Sequence, residues 1–336
     1  MHNVTLIKGD GIGPSIMDAA VAVIDAAGAN ICWQEAEAGM SAFEKTGTPL
    51  PDATMDSIAE TRVAFKGPLT TMVGEGFRSI NVELRKKYDL YANVRPAKSW
   101  PGVKTRYDDV DIVVVRENTQ GLYVGLEHYL TPEKDIAESL AVVTKASSER
   151  IIEYAFKYAI DNDRKKVTVC HKANILKYTQ GLFLNTARDV AKKYPHIEFD
   201  EKIIDAACMH MVMKPEQFDV VVTTNMFGDI LSDLTAGLVG GLGLIPGANI
   251  GADAALFEAV HGSAPDIAGK NIANPTAVMM AGVMMLNHLG EHDAAHRMQH
   301  AIEKVVNEGK YVTPDLNPDS TCGTKEMGQA IVDAMV

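Results

Sequence analysis

Runs of β-branched apolar residues, separated by stretches with helical patterning, constrain the fold of this chain more than any other feature. Such runs occupy residues 110–116 (VDIVVVR), 167–171 (VTVCH) and 218–224 (FDVVVTT). Strands that are apolar at successive positions are typical of sheets covered on both faces. Helical stretches lie between them, at 147–160 and 179–194. The alternation therefore predicts an α/β protein built from layers of sheet and helices.

Length and charge narrow the class of protein further. The chain has 336 residues, which predicts about two domains. Its net charge of −12 repels nucleic acid and anionic membranes, so we expect neither as a partner, and an anionic substrate would need its own cluster of cations. The most apolar stretch, 277–286, is shorter than the roughly 20 residues that span a bilayer. The start of the chain lacks the pattern of a signal or transit peptide. We therefore expect a cytoplasmic protein, or a mature mitochondrial one whose transit peptide has been removed.

The first glycine-rich segment, Gly9–Pro14 (GDGIGP), follows a strand-like run at 4–8. Its glycines have the spacing G-x-G-x-G, whereas the dinucleotide-binding fingerprint is G-x-G-x-x-G. The segment is better explained as a tight turn between a strand and a helix, in which glycines adopt positive φ.

Three arginines, Arg85, Arg95 and Arg116, lie near the ends of apolar or helical runs. An arginine side chain binds carboxylates in bidentate geometry. Together the three could hold a di- or tricarboxylate in this acidic protein. The alternative, which the sequence leaves open, is three separate ion pairs at the surface.

Two aspartates, Asp229 and Asp233, follow the apolar run at 218–224 and share one face if the segment is helical. Ligands bind at the carboxyl ends of strands in open α/β sheets, and oxygen ligands suit a hard cation such as Mg²⁺ or Mn²⁺. The alternative is an acidic first turn that favours the helix dipole. Tyr123 and Lys172 are candidates for proton transfer, or else surface residues.

Histidines recur every four residues near the end of the chain, at His288, His292, His296 and His300. Acidic residues are interspersed among them. The spacing predicts one solvated stripe along a single helix rather than a metal site.

Taken together, these segments resemble the decarboxylating β-hydroxyacid dehydrogenases, the family that includes isocitrate, isopropylmalate and homoisocitrate dehydrogenases. The resemblance covers essentially the whole chain and is most specific in Asn225–Gly243. It implies a two-domain α/β fold of the isopropylmalate dehydrogenase type, which is not a Rossmann fold. A large cofactor-binding domain would comprise 1–92 and 241–336, and a small domain 93–240. The resemblance also implies a homodimer with shared active sites and an intersubunit arm at about 124–144.

The same resemblance implies roles for metal binding and proton transfer. Asp229 and Asp233 would ligate Mg²⁺ or Mn²⁺, joined by Asp205 of the partner subunit. Tyr123 would protonate the enol that forms after CO₂ departs. Lys172 of the partner subunit would help to remove the hydroxyl proton.

Substrate choice is implied by the segment ahead of Arg85. Arg85, Arg95 and Arg116 would bind the carboxylates common to the family's substrates. Ser79 and Asn81 stand where isocitrate dehydrogenases carry a serine and an asparagine, whose polar groups would bind the γ-carboxylate of isocitrate. Isopropylmalate dehydrogenases carry apolar side chains there, and a polar site discriminates strongly against a substrate that lacks its partner group.

The resemblance therefore implies an enzyme that oxidatively decarboxylates isocitrate to 2-oxoglutarate and CO₂. Homoisocitrate is the alternative substrate, since much of the chain also resembles homoisocitrate dehydrogenases. A further alternative is a non-catalytic regulatory subunit. Such subunits tend to lose the tyrosine, the lysine or the metal-binding acids, and all of these are present here.

The resemblance also implies NAD as the cofactor. Asp266 and Ile267 stand where NADP-dependent relatives carry a lysine and a tyrosine, and an acid here accepts hydrogen bonds from ribose hydroxyls and repels a 2′-phosphate. Farther on, Pro314 and Pro318 replace a tyrosine and an arginine of those relatives. The cofactor-binding residues implied by the resemblance are Thr70, His261, Gly262, Ala264, Asp266, Ile267 and Asn274.

Overall fold

The computed structural model describes residues 1–70 and 79–335. Residues 71–78, which immediately precede the predicted substrate-selecting residues, lie outside this part. The strands are β1 His2–Ile7, β2 Ile31–Ala36, β3 Val63–Lys66, β4 Ala92–Lys98, β5 Asp111–Glu117, β6 Glu127–Tyr129, β7 Ala137–Ser139, β8 Lys166–His171, β9 Glu198–Ile203, β10 Val220–Thr223, β11 Pro246–Ile250 and β12 Ala255–Ala259. The helices are α1 Gly13–Ala26, α2 Met40–Thr46, α3 Asp52–Thr61, α4 Ile80–Lys87, α5 Lys145–Asp161, α6 Thr179–Ala191, α7 Ile204–Met213, α8 Asn225–Leu238, α9 Thr276–His288, α10 His292–Glu308 and α11 Thr324–Asp333.

The chain divides into two compact units. The first comprises Met1–Tyr88, Ser99–Asp108 and Ala236–Val336, and the second comprises Asp89–Lys98 and Asp109–Thr235. The first unit therefore contains both ends of the chain.

The sheet of the first unit has the strand order β2-β1-β3-β12-β11. Neighbouring strands are parallel except for β11 and β12, which are antiparallel. The turn after β1 has positive φ at Gly9 (76°) and Gly11 (59°), and α1 begins with Pro14 in its first turn. The predicted turn between a strand and a helix is therefore confirmed. The helix α9 buries Met279 and Met285 completely, as part of the core.

The structure corrects the prediction that the four histidines near the end of the chain lie on a single helix. His288 is in the last turn of α9, whereas His292 begins α10. The two helices are separated at Gly290, whose φ of 80° lies in the left-handed region. A glycine in this conformation commonly ends a helix. The four histidines therefore do not form one stripe on a single helix.

The sheet of the second unit has the strand order β4-β5-β10-β8-β9. β4 and β5 are antiparallel, and the other neighbours are parallel. The apolar runs of the sequence form β5, β8 and β10, and the side chains of Val113, Val167 and Val221 are fully buried. The predicted α/β organisation is thus confirmed. Among the described residues, no helix has the length and apolar character needed to cross a membrane.

Candidate active site

Candidate functional residues collect at the carboxyl edge of the second unit's sheet. Arg116 lies near the end of β5, and α8 begins just after β10. Lys172 follows β8, and Asp205 follows β9. Because these four strands are parallel, their carboxyl ends meet at one edge, which is where open α/β sheets bind ligands.

Strand register explains why two of the predicted arginines lie close together. Arg95 of β4 is opposite Val114 of β5, and Arg116 is two residues farther along β5. Directly opposed residues and residues two apart project from the same face of a sheet. Arg95 and Arg116 are therefore diagonal neighbours on one face, and both are buried.

Asp229 of α8 is the carboxylate around which these groups gather. Its Oδ1 accepts a hydrogen bond from Arg116 Nη1 and lies 3.6 Å from Arg95 Nη1. Its Oδ2 accepts a hydrogen bond of 2.6 Å from the Tyr123 hydroxyl. Asp233, one turn farther along α8, has its Oδ1 3.8 Å from Arg95 Nη1. Three residues predicted from separate parts of the sequence, Arg95, Arg116 and Tyr123, thus converge on Asp229, and Asp233 lies beside Arg95.

The environment of Tyr123 favours the protonated phenol. Burial raises the pKa of Tyr123, and its hydrogen bond to the Asp229 carboxylate raises it further. The Arg116 guanidinium carbon lies 5.1 Å from the centre of the ring and opposes this shift. The hydroxyl therefore keeps its proton at neutral pH and can donate it.

Two neutral side chains of α8, which sequence reasoning missed, hold the two arginines. Asn225 Oδ1 accepts hydrogen bonds from Nε and Nη2 of Arg116, at 3.0 and 2.7 Å. Ser232 Oγ accepts a hydrogen bond of 2.6 Å from Arg95 Nη1. With Asp229, they follow the spacing of one helix face, which is a signal that the sequence contains.

Lys172 and Asp205 form a second cluster at the same edge of the sheet. Lys172 Nζ donates to Asp205 Oδ1 at 2.6 Å, and this hydrogen bond lowers the pKa of the Asp205 carboxyl. The pairing follows from the topology, because β8 and β9 are adjacent and parallel. Within the described ranges, no group of three His, Cys, Asp or Glu side chains is placed to hold a metal ion. Asp205 of one chain therefore does not complete a metal site with Asp229 and Asp233 of the same chain.

The donors of α8 nevertheless suit a hard divalent cation. Asp229 and Asp233 offer carboxylate oxygens on one helix face, and their side chains are 41% and 62% exposed. Oxygen ligands of this kind are those that Mg²⁺ and Mn²⁺ prefer. Such a cation takes more oxygen ligands than these two carboxylates supply, so further ligands would come from elsewhere.

In the first unit, Arg85 belongs to a buried ionic cluster. Arg85 Nη2 lies 3.7 Å from Glu258 Oε1, and Lys66 Nζ lies 2.7 Å from Glu258 Oε2. Asn249 Nδ2 donates to Glu258 Oε1 at 2.8 Å. Burial alone would raise the pKa of Glu258, but the charges of Lys66 and Arg85 outweigh it and lower the pKa to about 2. Glu258 is therefore a carboxylate at every physiological pH.

The predicted substrate-selecting residues lie at the start of the helix that carries Arg85. Ser79 is the N-cap residue of α4, and Asn81 lies in its first turn. Asn81 and Arg85 are four residues apart and share one helix face. Asn81 Oδ1 is buried, and among the described residues it has no hydrogen-bond partner. A ligand group could therefore satisfy it.

The loop predicted to bind the cofactor, 261–274, is fixed to the turn after β1. Ser263 O accepts a hydrogen bond from Ile12 N at 2.9 Å, and Ser263 Oγ lies 2.8 Å from Thr70 Oγ1. Thr70 N in turn donates to the buried Asp10 carboxylate at 2.8 Å. The sequence singled out the glycines of this turn but missed that Asp10 and Ser263 join it to Thr70.

Other residues predicted to bind the cofactor lie on either side of Ser263 in this loop. Gly262 and Asp266 are exposed, Ile267 is half-buried, and Ala264 has a left-handed φ of 38°. Burial lowers the pKa of His261, which is therefore neutral at pH 7. Asn274 has a structural role: its Oδ1 accepts from Thr276 N at the start of α9, and its Nδ2 donates to Asp315 at 3.0 Å.

The fold and the site together define an α/β protein of two units in which buried arginines lie beside two carboxylates of one helix, an arrangement that suits an anionic, carboxylate-bearing substrate. A model of the isocitrate/isopropylmalate dehydrogenase family matches residues 3–331. The chain belongs to this family, as its sequence motifs predict, and the predicted fold type is confirmed.

Three relatives illustrate the similarity. The crystal structure of isocitrate dehydrogenase from Methylococcus capsulatus matches with a TM-score of 0.97 and 64% identity, over 100% of this chain and 99% of that one. Mitochondrial isocitrate dehydrogenase [NAD] catalytic subunit 5 of Arabidopsis thaliana is 51% identical over 98% of this chain and 87% of its own length. Chloroplastic 3-isopropylmalate dehydrogenase of Solanum tuberosum is 49% identical over 95% of this chain and 84% of its own length.

Proposed function

We propose that the protein catalyses the NAD-dependent oxidative decarboxylation of isocitrate to 2-oxoglutarate and CO₂, with a divalent metal ion. The observation that carries this proposal is the convergence of Arg95, Arg116 and Tyr123 on Asp229. This cluster combines cations for substrate carboxylates, an acid for protonation and a carboxylate for a metal. The isocitrate dehydrogenases among its relatives support the choice of substrate.

The arginines and the tyrosine have distinct roles in this proposal. Arg95 and Arg116 bind and orient carboxylates of the substrate, since guanidinium groups match the geometry of carboxylates. A divalent cation bound by Asp229 and Asp233 would supply Lewis acidity toward the substrate's hydroxyl group. Tyr123 holds a proton at its hydroxyl and delivers it to the substrate carbon once CO₂ has departed. That Arg85 joins the other two arginines, and that Ser79 and Asn81 read the γ-carboxylate, stay predictions from the resemblance.

The negative charge of the proposed cofactor loop favours NAD over NADP. The exposed Asp266 would accept hydrogen bonds from the ribose hydroxyls, and it would repel the 2′-phosphate of NADP. Bound NAD would supply the acceptor for the hydride. The half-buried Ile267 offers an apolar contact in the same loop.

We also propose that two copies of the chain form a homodimer that shares its active sites. The pairing of Lys172 with Asp205 supports this, because among the described residues of one chain this pair belongs to no group of three side chains that could hold a metal ion. A second copy could receive both groups, with Lys172 removing the hydroxyl proton and Asp205 completing the metal ligands.

The proposed arm at about 124–144 supports the same dimer. It contains the antiparallel strands β6 and β7, and a two-stranded hairpin alone is marginally stable in water. Five of its large apolar side chains are between 51% and 55% exposed: Leu126, Tyr129, Leu130, Ile136 and Leu140. A concentration of exposed apolar surface marks an interaction site. We therefore expect the arm to be buried against a second copy. We expect the protein to act in the cytoplasm or, in its mature form, in mitochondria.

Initial rates with the purified chain test the proposed reaction. The chain is assayed with Mg²⁺ and either NAD or NADP, on isocitrate, homoisocitrate and isopropylmalate in parallel. We expect isocitrate with NAD to give the highest kcat/KM by at least tenfold. A preference for homoisocitrate would overturn the assignment of Ser79 and Asn81, and no turnover of any substrate would indicate a regulatory subunit.

Mixing two inactive variants tests the shared site. Tyr123→Phe and Lys172→Met should each be nearly inactive as homodimers. Unfolded together and refolded, they should recover activity, because half of the molecules are mixed dimers in which one site keeps both native residues. If Tyr123 and Lys172 of one chain act together, the mixture stays inactive.

A further inference from the structure

A neutral amide holds the most deeply buried arginine of the site. Asn225 Oδ1 accepts two hydrogen bonds from Arg116, at 3.0 Å from Nε and 2.7 Å from Nη2. Asn225 Nδ2 donates to the backbone oxygen of Gln120 at 3.2 Å. Both side chains are 1% exposed, so water does not compete for these contacts. The grip on two nitrogens fixes the plane of the guanidinium group.

The chemical type of the gripping residue matters as much as its position. A carboxylate at 225 would also accept both hydrogen bonds, but it would place a second negative charge beside Arg116, which already pairs with Asp229. Less positive charge would then remain to attract an anionic substrate. A carboxylate could not donate to the Gln120 oxygen, either. The amide of Asn225 orients Arg116 without adding a further negative charge.

A second neutral side chain of α8, that of Ser232, accepts a hydrogen bond from Arg95 in the same way. Ser232 Oγ accepts a hydrogen bond from Arg95 Nη1 at 2.6 Å and donates to the backbone oxygen of Asp229 at 3.0 Å. Asn225 and Ser232 are seven residues apart, which is about two turns of one helix face. Each arginine therefore has a neutral holder on the helix that carries the carboxylates.

We propose that Asn225 is a positioning residue for substrate binding. It holds the Arg116 guanidinium in the one orientation in which Nη1 faces Asp229 and the reacting groups, while the charge of Arg116 remains available to a substrate carboxylate. This inference rests on the proposed function for the role of Arg116. It adds a residue that acts on the substrate through that arginine.

Kinetics of two variants at position 225 separate orientation from charge. Asn225→Ala removes the grip, and we expect KM for isocitrate to rise at least tenfold with kcat changed less than threefold, because a binding contact present in ground and transition states is lost. Asn225→Asp keeps the acceptor and adds a negative charge, so KM should rise as well. In the Arg116→Lys background, Asn225→Ala should have little further effect, as expected for residues that act as one unit.

The chain offers a matched control in Asn185, which accepts a hydrogen bond of 3.3 Å from Arg188 at the surface of α6. Asn185→Ala removes an Asn–Arg contact outside the site and should leave KM and kcat unchanged. Effects of Asn225→Ala that are the same in both backgrounds at position 116, or a loss in kcat with KM unchanged, would overturn the positioning role.

Nuclear magnetic resonance of the arginine side chains gives a reading that does not depend on turnover. The Nε–H signal of Arg116, assigned by its loss in Arg116→Lys, should be protected from solvent exchange in the parent chain and in Asn225→Asp. It should lose that protection in Asn225→Ala. An unprotected signal in the parent chain would refute the positioning role even if isocitrate is turned over. A protected signal in a chain that turns over none of the substrates would refute the proposed function and leave the orientation of Arg116 established.

Discussion

The close contact between Gly228 and Arg116 leads to a prediction about both stability and activity. A Cβ atom added at Gly228 would lie 2.5 Å from Arg116 Cγ and 2.6 Å from Arg116 Cβ. Carbon atoms in contact are normally about 3.5–4.0 Å apart, so the overlap is about 1 Å. Arg116 cannot easily retreat, because its strand is paired on both sides, with β4 and β10. Gly228→Ala should therefore displace the arginine or the helix.

Two opposing contributions set the change in the free energy of unfolding. Overpacking of a filled core costs about 1–3 kcal/mol, whereas alanine in a helix is favoured over glycine by roughly 0.5–1 kcal/mol. We therefore expect a net destabilisation of about 0–2.5 kcal/mol, which urea denaturation can measure. The effect on activity is larger. Loss of one hydrogen bond to a charged group costs about 1.5–3 kcal/mol, so kcat/KM for isocitrate should fall by about tenfold to a hundredfold.

Gly237, on the same helix, provides the matched control. It is exposed, and no atom of the described residues lies within 4 Å of a Cβ built there, apart from those of its own helix and chain neighbours. Gly237→Ala should gain roughly 0.5–1 kcal/mol from helix propensity and leave kcat/KM unchanged. If Gly228→Ala keeps kcat/KM within twofold of the parent chain and gains stability as Gly237→Ala does, the claim that α8 positions Arg116 by close packing is refuted.

Other predictions address the metal, the buried ionic cluster and the cofactor. Asp229→Asn should remove most activity and weaken the dependence of the rate on Mg²⁺, and unchanged turnover would exclude this residue as a metal ligand. The pKa of Glu258 is about 2 when folded against a usual 4.5, so its stabilising effect is complete above about pH 4.5 and is lost as the pH falls toward 2. In Glu258→Gln, urea denaturation should show a loss of stability between pH 7 and pH 3 that is smaller than in the parent chain by roughly 2 kcal/mol; an equal loss would show that Glu258 does not titrate in this way. Asp266→Asn should lower kcat/KM for NAD by about tenfold, the effect of losing one good hydrogen bond to ribose, and should narrow its preference over NADP; an unchanged ratio would contradict the role of Asp266.

Much of the fold could be predicted because its signals are local. Strands β5, β8 and β10 are read from apolar runs, since strands covered on both faces need no polar alternation. The turn after β1 is read from Gly9 and Gly11, since few other residues adopt positive φ. The prediction of a single helix for the histidines was also wrong for a local reason. A repeat of four residues continues unchanged across a break, and Gly290 was the signal of that break.

The candidate site is less predictable from the sequence than the fold, because only some of its contacts join residues that are close along the chain. The pair Asp229 and Asp233 is visible as a spacing of four residues on one helix. The approach of Arg95 to Arg116 is not, because it depends on the antiparallel register of β4 and β5, and nothing local fixes that register. The anchoring of Thr70 to Asp10 is likewise a contact between distant parts of the chain.

The polar face of α8 lies between these two cases. Asn225, Asp229 and Ser232 recur at intervals of four and three residues, so their shared face is present in the sequence. Their meaning is not, because an asparagine and a serine on a helix are ordinary until two buried arginines are found against them. Once the sheet has placed Arg95 and Arg116 on one face, each needs further acceptors besides Asp229 and Asp233. Additional carboxylates in those places would cancel more of the charge that binds an anionic substrate. Neutral acceptors such as Asn225 and Ser232 therefore allow α8 to orient the two arginines without adding to the negative charge of Asp229 and Asp233.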